Sequence, residues 1–321
     1  KIIEATDGTR LAVYDFNPCG KEAVVLLHGW PLSHKMYEYQ IGRLLKCGYR
    51  VVALDLRGFG ASDTPDRVYS FNQMATDLHS VVLCLGLRCF TLVGFSMGGA
   101  IALRYMRLFR GQGVKKLILL AAAAPSWTQR PDYPYGLTRE AVNALIHQAS
   151  TDPSWLMFAH QQLFASPQSE AAKNWFEDLA LSASGVGTVR AALSLRDEDG
   201  RADLACVHVP TVIFHGDKDV VVSSDLARLQ HQGIRGSRLI TLENSGHGIV
   251  YDELERFNCL FLQAVQGCLP PFPRGVNPCI RKRAARDRAA LFFHYIAVPP
   301  RTGQKSNRKT AVFRLLFPCF Y

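Results

Sequence analysis

The stretch Phe90-Thr91-Leu92-Val93-Gly94-Phe95-Ser96-Met97-Gly98-Gly99-Ala100-Ile101 leaves the chain few choices of fold. Phe90 to Val93 is an apolar, β-branched run that reads as a buried strand. It breaks at a serine flanked by glycines and continues from Ala100 to Leu103 as a good helix start. A strand that turns straight into a helix holds its central residue in a strained conformation, so Gly94 and Gly98, two positions either side of Ser96, must have almost no side chain. The serine hydroxyl is thereby lifted clear of the sheet. It sits over a helix N-terminus whose free N–H groups favour developing negative charge. The Gly-x-Ser-x-Gly pattern gains meaning from this strand-to-helix context. The chain must then supply a histidine, an acid and a second N–H donor if the hydroxyl is to act as a nucleophile.

The residues around this bend alternate between strand-like and helix-like runs. Lys1 to Ala5 and Leu11 to Phe16 flank Asp7-Gly8, a hairpin signal. Ala23 to Leu27 and Tyr49 to Leu54 read as buried strands. The first ends in His28-Gly29-Trp30-Pro31, and the second in Asp55-Leu56-Arg57-Gly58-Phe59-Gly60-Ala61-Ser62-Asp63. Helices are expected at about Lys35 to Cys47 and Phe71 to Leu85, and a further strand at Lys115 to Ala122. Unbroken apolar strands separated by helices point to a mostly parallel sheet covered on both faces. Small and polar residues collect after the strand C-termini, the edge where such sheets bind ligands.

Ser126 to Val207 lacks clear buried strands. It is rich in aromatics and predicts helices at Thr138 to Ala149, Pro153 to Phe164, Ser169 to Ala183 and Val186 to Leu195. We expect a helical lid over residues 126–207, between core segments 1–125 and 208–265. Trp127, Trp155 and Phe158 are expected to contribute with Trp30 and Phe95 to an apolar substrate pocket. Strands return at Val209 to Phe214 and Arg238 to Leu242, with helices at Ser224 to Gln232 and Ile249 to Val265.

Charge separates this body from the C-terminal stretch. The whole chain of 321 residues carries a formal +10, and the residues from Gln266 to Tyr321 alone supply it, with 11 Lys and Arg against Asp287. Residues 1–265 are balanced, so the substrate need not be an anion. The 266–321 extension holds seven of sixteen prolines and the cluster Arg281-Lys282-Arg283, and is expected to be poorly ordered. A nucleic-acid or membrane arm is the competing reading of this tail; neither nucleic acid nor membrane is the expected partner, and a salt-dependent gel shift would reveal the first. No apolar run reaches the roughly 20 residues of a membrane span. No leader is recognisable, and nine cysteines without a Cys-x-x-Cys pair suggest buried free thiols in a reducing cytoplasm. No cluster has metal-ligand spacing, and none cradles phosphate, so no cofactor is expected.

Ser96, Asp219 and His247 each follow a predicted strand, and their order is that of a nucleophile, acid and base. Serine needs a neighbouring imidazole to take its proton. The imidazole in turn needs a carboxylate to fix its tautomer. Asp217 lies on the same loop as Asp219, which is preferred because it stands nearer Val220-Val221-Val222. Backbone N–H groups of Met97 and Trp30 are the candidate oxyanion donors. His28 reads as a loop brace, and Asp55 and Arg57 as residues that pin their turn.

Over residues 1 to about 265 the chain resembles the α/β-hydrolases grouped with cofactor-free (non-haem) haloperoxidases and arylesterases. The matching stretches are His28 to Ser33, Asp55 to Asp63, the Ser96 bend, Gly216-Asp217-Lys218-Asp219 and Ser245-Gly246-His247. The resemblance implies an α/β-hydrolase fold with Ser96 as nucleophile, His247 as base, Asp219 as acid, and no metal or haem. Phe95 and Met97 around the serine, Ser223 after Val222, and the tail depart from that group's usual pattern. The expected activity is hydrolysis of small to medium apolar carboxylic esters or lactones through an acyl-enzyme. Perhydrolase chemistry, cleavage of diketone carbon–carbon bonds, or ligand binding without turnover are the alternatives. Serine rather than aspartate at the bend argues against dehalogenase and epoxide-hydrolase chemistry.

Overall fold

The structure is a computed structural model and describes residues 1–152 and 163–269. Among the described residues eight strands form one sheet: β1 (Ile2–Glu4), β2 (Arg10–Phe16), β3 (Ala23–Leu27), β4 (Arg50–Leu54), β5 (Phe90–Phe95), β6 (Val114–Leu120), β7 (Thr211–Gly216) and β8 (Arg238–Leu242). Their order is β1-β2-β4-β3-β5-β6-β7-β8. Only β2 runs against its neighbours, pairing antiparallel with β1 and β4, and the remaining pairs are parallel.

The apolar runs are continuous because both faces of the sheet are covered. Alternation sends Val25 and Leu27 of β3 into one core and Val24 and Leu26 into the other. In β4, Val52 and Leu54 oppose Val51 and Ala53 in the same way. Helices α2 (Phe71–Cys84) and α3 (Met97–Leu108) pack on the first face through Phe71, Met74, Leu78, Ile101 and Tyr105. Helix α1 (Glu38–Lys46) and the helix Leu254–Gln266 cover the second through Ile41, Leu44, Phe257 and Phe261.

Strand β3 lies between β4 and β5, so successive crossovers leave it in opposite directions. Loops at its C-terminal end therefore diverge and open a crevice. The turns after β3, β5, β7 and β8 all arrive at this edge.

Between β6 and β7 the chain forms α4 (Arg139–Thr151) and helices Glu170–Leu181, Gly185–Asp197 and Arg201–Leu204. Thr138, Ser169 and Ser184 start the first three, each side chain accepting a bond from the N–H three residues on. Buried Arg104 of α3 ties this insertion to the core. Its guanidinium donates to Asp203 (2.8 Å), to Glu198 (3.0 Å) and to the side chain of Asn72. Most of the helix expected at Pro153 to Phe164, including Trp155 and Phe158, lies outside the described residues, as does the chain beyond Leu269.

Three expectations need correction. The last helix is not continuous from Ile249 to Val265. It breaks at Glu253 (φ −117°, ψ 55°) into Ile249–Asp252 and Leu254–Gln266, because Asp252 and Glu253 turn back to accept loop N–H groups. The strand expected to reach Ala122 ends at Leu120, since Ala121 takes a left-handed φ of 43°. The described cysteines are free but not buried: Cys19, Cys84, Cys89, Cys259 and Cys268 are exposed, and Cys47 and Cys206 half-buried. Cys84 ends a helix and Cys259 lies on an outer helical face, so apolar sequence neighbours on the opposite face gave a false signal of burial.

Candidate active site

Ser96 occupies the bend between β5 and α3 at φ 51°, ψ −117°, and is nearly buried at 7% exposure. The backbone explains the flanking glycines. A Cβ on Gly98 would stand 2.5 Å from the carbonyl oxygens of both Leu27 and His28. One on Gly94 would press into the backbone of Gly98 and Gly99. The strained serine is held from both sides, its N–H donating to Leu120 O (2.9 Å) and its carbonyl accepting from Ala123 N (3.0 Å).

The imidazole of His247 reaches across from the loop after β8. Its Nε2 lies 3.0 Å from Ser96 Oγ, and its Nδ1 lies 2.8 Å from Asp219 Oδ2. With Nδ1 carrying the proton toward the carboxylate, Nε2 is left to accept from the hydroxyl. The second carboxylate oxygen, Oδ1, accepts the N–H groups of Val221 and Val222, both at 2.8 Å. Complete burial pushes the Asp219 carboxyl up. His247, His215 and the Val222 N–H outweigh that, and the net shift is downward, so the carboxylate stays ionised. Asp219, and not Asp217, is the acid in contact with the ring.

The two candidate oxyanion donors sit at a helix start and in a turn. Met97 is the first residue of α3, so its N–H has no intrahelical partner. Trp30 follows β3, and the turn Gly29–Leu32 (Leu32 N to Gly29 O, 2.9 Å) carries it beside the bend. Gly29 is pressed there, since a Cβ would lie 2.6 Å from the Phe95 ring and 3.0 Å from Ser96 Cβ.

His28 braces this loop with both ring nitrogens. Its Nε2 accepts from Leu56 N (3.0 Å), which leaves Nδ1–H to donate to Gly29 O (2.8 Å). Burial lowers its pKa to about 4. Asp55 pins the neighbouring turn through His34 N, His34 Nδ1 and Ala61 N. Arg57 is wholly buried, paired with both oxygens of Asp77 (2.6 and 2.7 Å) and with Asp7 (2.9 Å).

The remaining pocket candidates have defined surroundings. The Phe95 ring lies 4.9 Å from that of His247. Trp30 Nε1 donates to Thr188 O (2.8 Å) on the insertion, and buried Trp127 donates to Val221 O (2.9 Å) beside the acid. Both indoles therefore tie the insertion to the loops that carry the site. Sequence reasoning missed His215, fully buried behind Asp219. Burial lowers its pKa, and its Nε2 stands 4.0 Å from Asp219 Oδ2 with no hydrogen-bond partner among the described residues. It also missed Asp252 and Glu253, whose acidity five and six residues after His247 was the available signal. No group of three or more potential ligands able to hold a metal occurs among the described residues.

Comparison with known proteins identifies the family of the fold. The family model described as alpha/beta hydrolase fold matches residues 22–254. An AB hydrolase superfamily protein, YisY, of Bacillus subtilis is 46% identical over 241 residues, 75% of this chain and 90% of that protein. A putative non-heme chloroperoxidase of Synechocystis is 32% identical, over 76% of this chain and 91% of its own. Among solved structures, an esterase from Exiguobacterium antarcticum superposes with TM-score 0.80 at 43% identity, covering 83% of this chain and 99% of its own.

Proposed function

The chain belongs to the α/β-hydrolase family, and from that premise we propose that it hydrolyses small to medium apolar carboxylic esters or lactones with Ser96 as nucleophile. One observation carries the reading: a strained serine hydroxyl stands 3.0 Å from an imidazole whose other nitrogen is held by an ionised, buried carboxylate.

Ser96 Oγ attacks the acyl carbon while His247 Nε2 takes its proton. Asp219 holds the tautomer and stabilises the imidazolium without itself accepting the proton. The carbonyl oxygen becomes negative against the N–H groups of Met97 and Trp30. Collapse of the tetrahedral species expels the alcohol, which receives the proton from His247. A water then repeats the sequence on the acyl-enzyme and regenerates Ser96. Phe95 and the indoles of Trp30 and Trp127 border this space on the described side.

The 32% identity to a chain named a putative non-heme chloroperoxidase supports a second activity of the same intermediate. Hydrogen peroxide in place of water would take the acyl group and leave as a peracid.

The test is a burst of p-nitrophenol from p-nitrophenyl acetate. Ser96→Ala is expected to lower kcat by on the order of 10^6-fold and to abolish labelling by a fluorophosphonate. Wild-type-like turnover by that variant would refute the reading. A panel of esters and lactones of rising chain length, run with and without peroxide, separates the substrate classes.

A further inference from the structure

We infer that Asp252 is a positioning residue that fixes His247 against Ser96 and makes the reach of the imidazole depend on the insertion segment Leu163–Ser166. The inference rests on His247 being the base.

Asp219 holds the ring of His247, but the backbone that carries the ring is held elsewhere. Gly246 N, immediately before His247, donates to Asp252 Oδ2 at 2.6 Å. The same oxygen accepts Ala165 N (3.1 Å), and Oδ1 accepts Ser166 N (2.9 Å). A single carboxylate thus joins the histidine loop to a segment more than eighty residues away. Further bonds close the same joint: Gly248 N donates to Leu163 O (2.9 Å), and Ser166 Oγ donates to Asn244 O (2.9 Å).

The two glycines flanking His247 show how close the fit is. A Cβ on Gly246 would lie 2.7 Å from Leu163 O, and one on Gly248 would lie 2.5 Å from the Phe164 ring. Both flanks of the histidine therefore rest on the insertion. The helix break at Glu253 belongs to this arrangement, since Glu253 accepts Asn244 N and Ser245 Oγ, each at 3.0 Å. The Asp252 bonds come from uncharged backbone donors. Burial, with the Asp219 charge acting in the same direction, lifts its carboxyl against their pull. An asparagine would present an N–H pair to donors on one side of the joint and lose acceptors there.

A shift of about 1 Å in a reacting group costs on the order of 10²-fold in rate. Asp252→Asn is therefore expected to lower kcat on p-nitrophenyl acetate about 10- to 100-fold, with KM within threefold of wild type. Labelling of Ser96 by a fluorophosphonate should slow in parallel, at a temperature where circular dichroism shows the fold intact. Ser166→Ala, which cuts a separate bond of the same joint, should lower kcat several-fold with KM again unmoved. The double variant should lose less than the product of the single losses, because either change loosens the same unit.

A folded Asp252→Asn that loses melting temperature and keeps kcat would overturn the inference and leave a merely structural carboxylate. Should Asp252→Asn fail to fold, Ser166→Ala decides alone, and an unchanged kcat there overturns it. Full activity in His247→Ala or Ser96→Ala would instead sink the reading of the triad on which the inference stands.

Discussion

The serine side and the histidine side of the site are held by different physics. Around Ser96 the constraints are collisions. Gly94, Gly98 and Gly29 are fixed by backbone or ring atoms closer than any Cβ could tolerate, and the bend is strained whatever the solvent does. Around His247 the flanking Gly246 and Gly248 are pressed as well, but charged acceptors are added. Carboxylates of Asp219, Asp252 and Glu253 collect backbone and ring N–H groups from the loop. Collisions give a site that is either assembled or absent, whereas acceptors give one that can be detuned by degrees. The Ser96 bend is thus set mainly by backbone packing, whereas the His247 loop leans in addition on side-chain acceptors.

Asp219→Asn should strike hardest on the histidine side. Loss of the correct tautomer is expected to lower kcat by about 10^4-fold while the fold persists. A full loss of folded protein on that substitution would break the contrast. On the serine side, Gly98→Ala should cost about 4 kcal/mol or more, because the intruding methyl meets two carbonyl oxygens of β3 and its loop. Differential scanning calorimetry should record a fall of roughly 10 °C or more, and a well-folded variant with merely reduced kcat would contradict the all-or-none picture.

His28 offers a pH test of the serine side. Its folded pKa of about 4 lies below the ordinary 6.5, so the unfolded chain binds the extra proton first. Stability should be unaffected by this group above pH 6.5 and decline as pH falls from 6.5 to 4, by a total of about 3 kcal/mol. Urea titrations of wild type and His28→Gln across that window check it, and parallel curves would exclude His28 as the cause. The smallest effect is expected from Trp127→Phe, which removes one N–H bond to Val221 O. It should lower stability by about 1 kcal/mol and kcat only a few-fold, since Val221 and Val222 N–H still hold the acid.

The same contrast decides what was legible beforehand. Ser96 and its glycines could be read directly because the local strand-to-helix bend calls for small residues beside it, although the β3 carbonyls that crowd Gly98 come from far along the chain. Asp219 and His247 were legible because each closes a strand at the ligand edge of a parallel sheet. Asp252, Glu253 and His215 were not, because their meaning depends on segments that local periodicity does not bring together. Ile249-Val250-Tyr251-Asp252-Glu253-Leu254 reads as one amphipathic helix until the loop at 244–248 is present to claim its acids. Trp127 was picked for its ring and Trp30 for its ring and backbone N–H, and in the structure both indole N–H groups also make hydrogen bonds. The exposed cysteines failed for a similar reason: apolar neighbours along the chain said nothing about which helical face each thiol takes.

The strand order has a consequence for how activity arises. Ser96 stands after β5, the acid after β7 and the imidazole after β8, so chemistry waits until the far half of the sheet has zipped on. On the proposed triad, a ribosome-bound chain that has released the serine bend but not residue 247 lacks its base and is expected to be chemically silent. Appearance of turnover during synthesis or refolding would thus clock the arrival of β8 and the loop after it, not the formation of the first core.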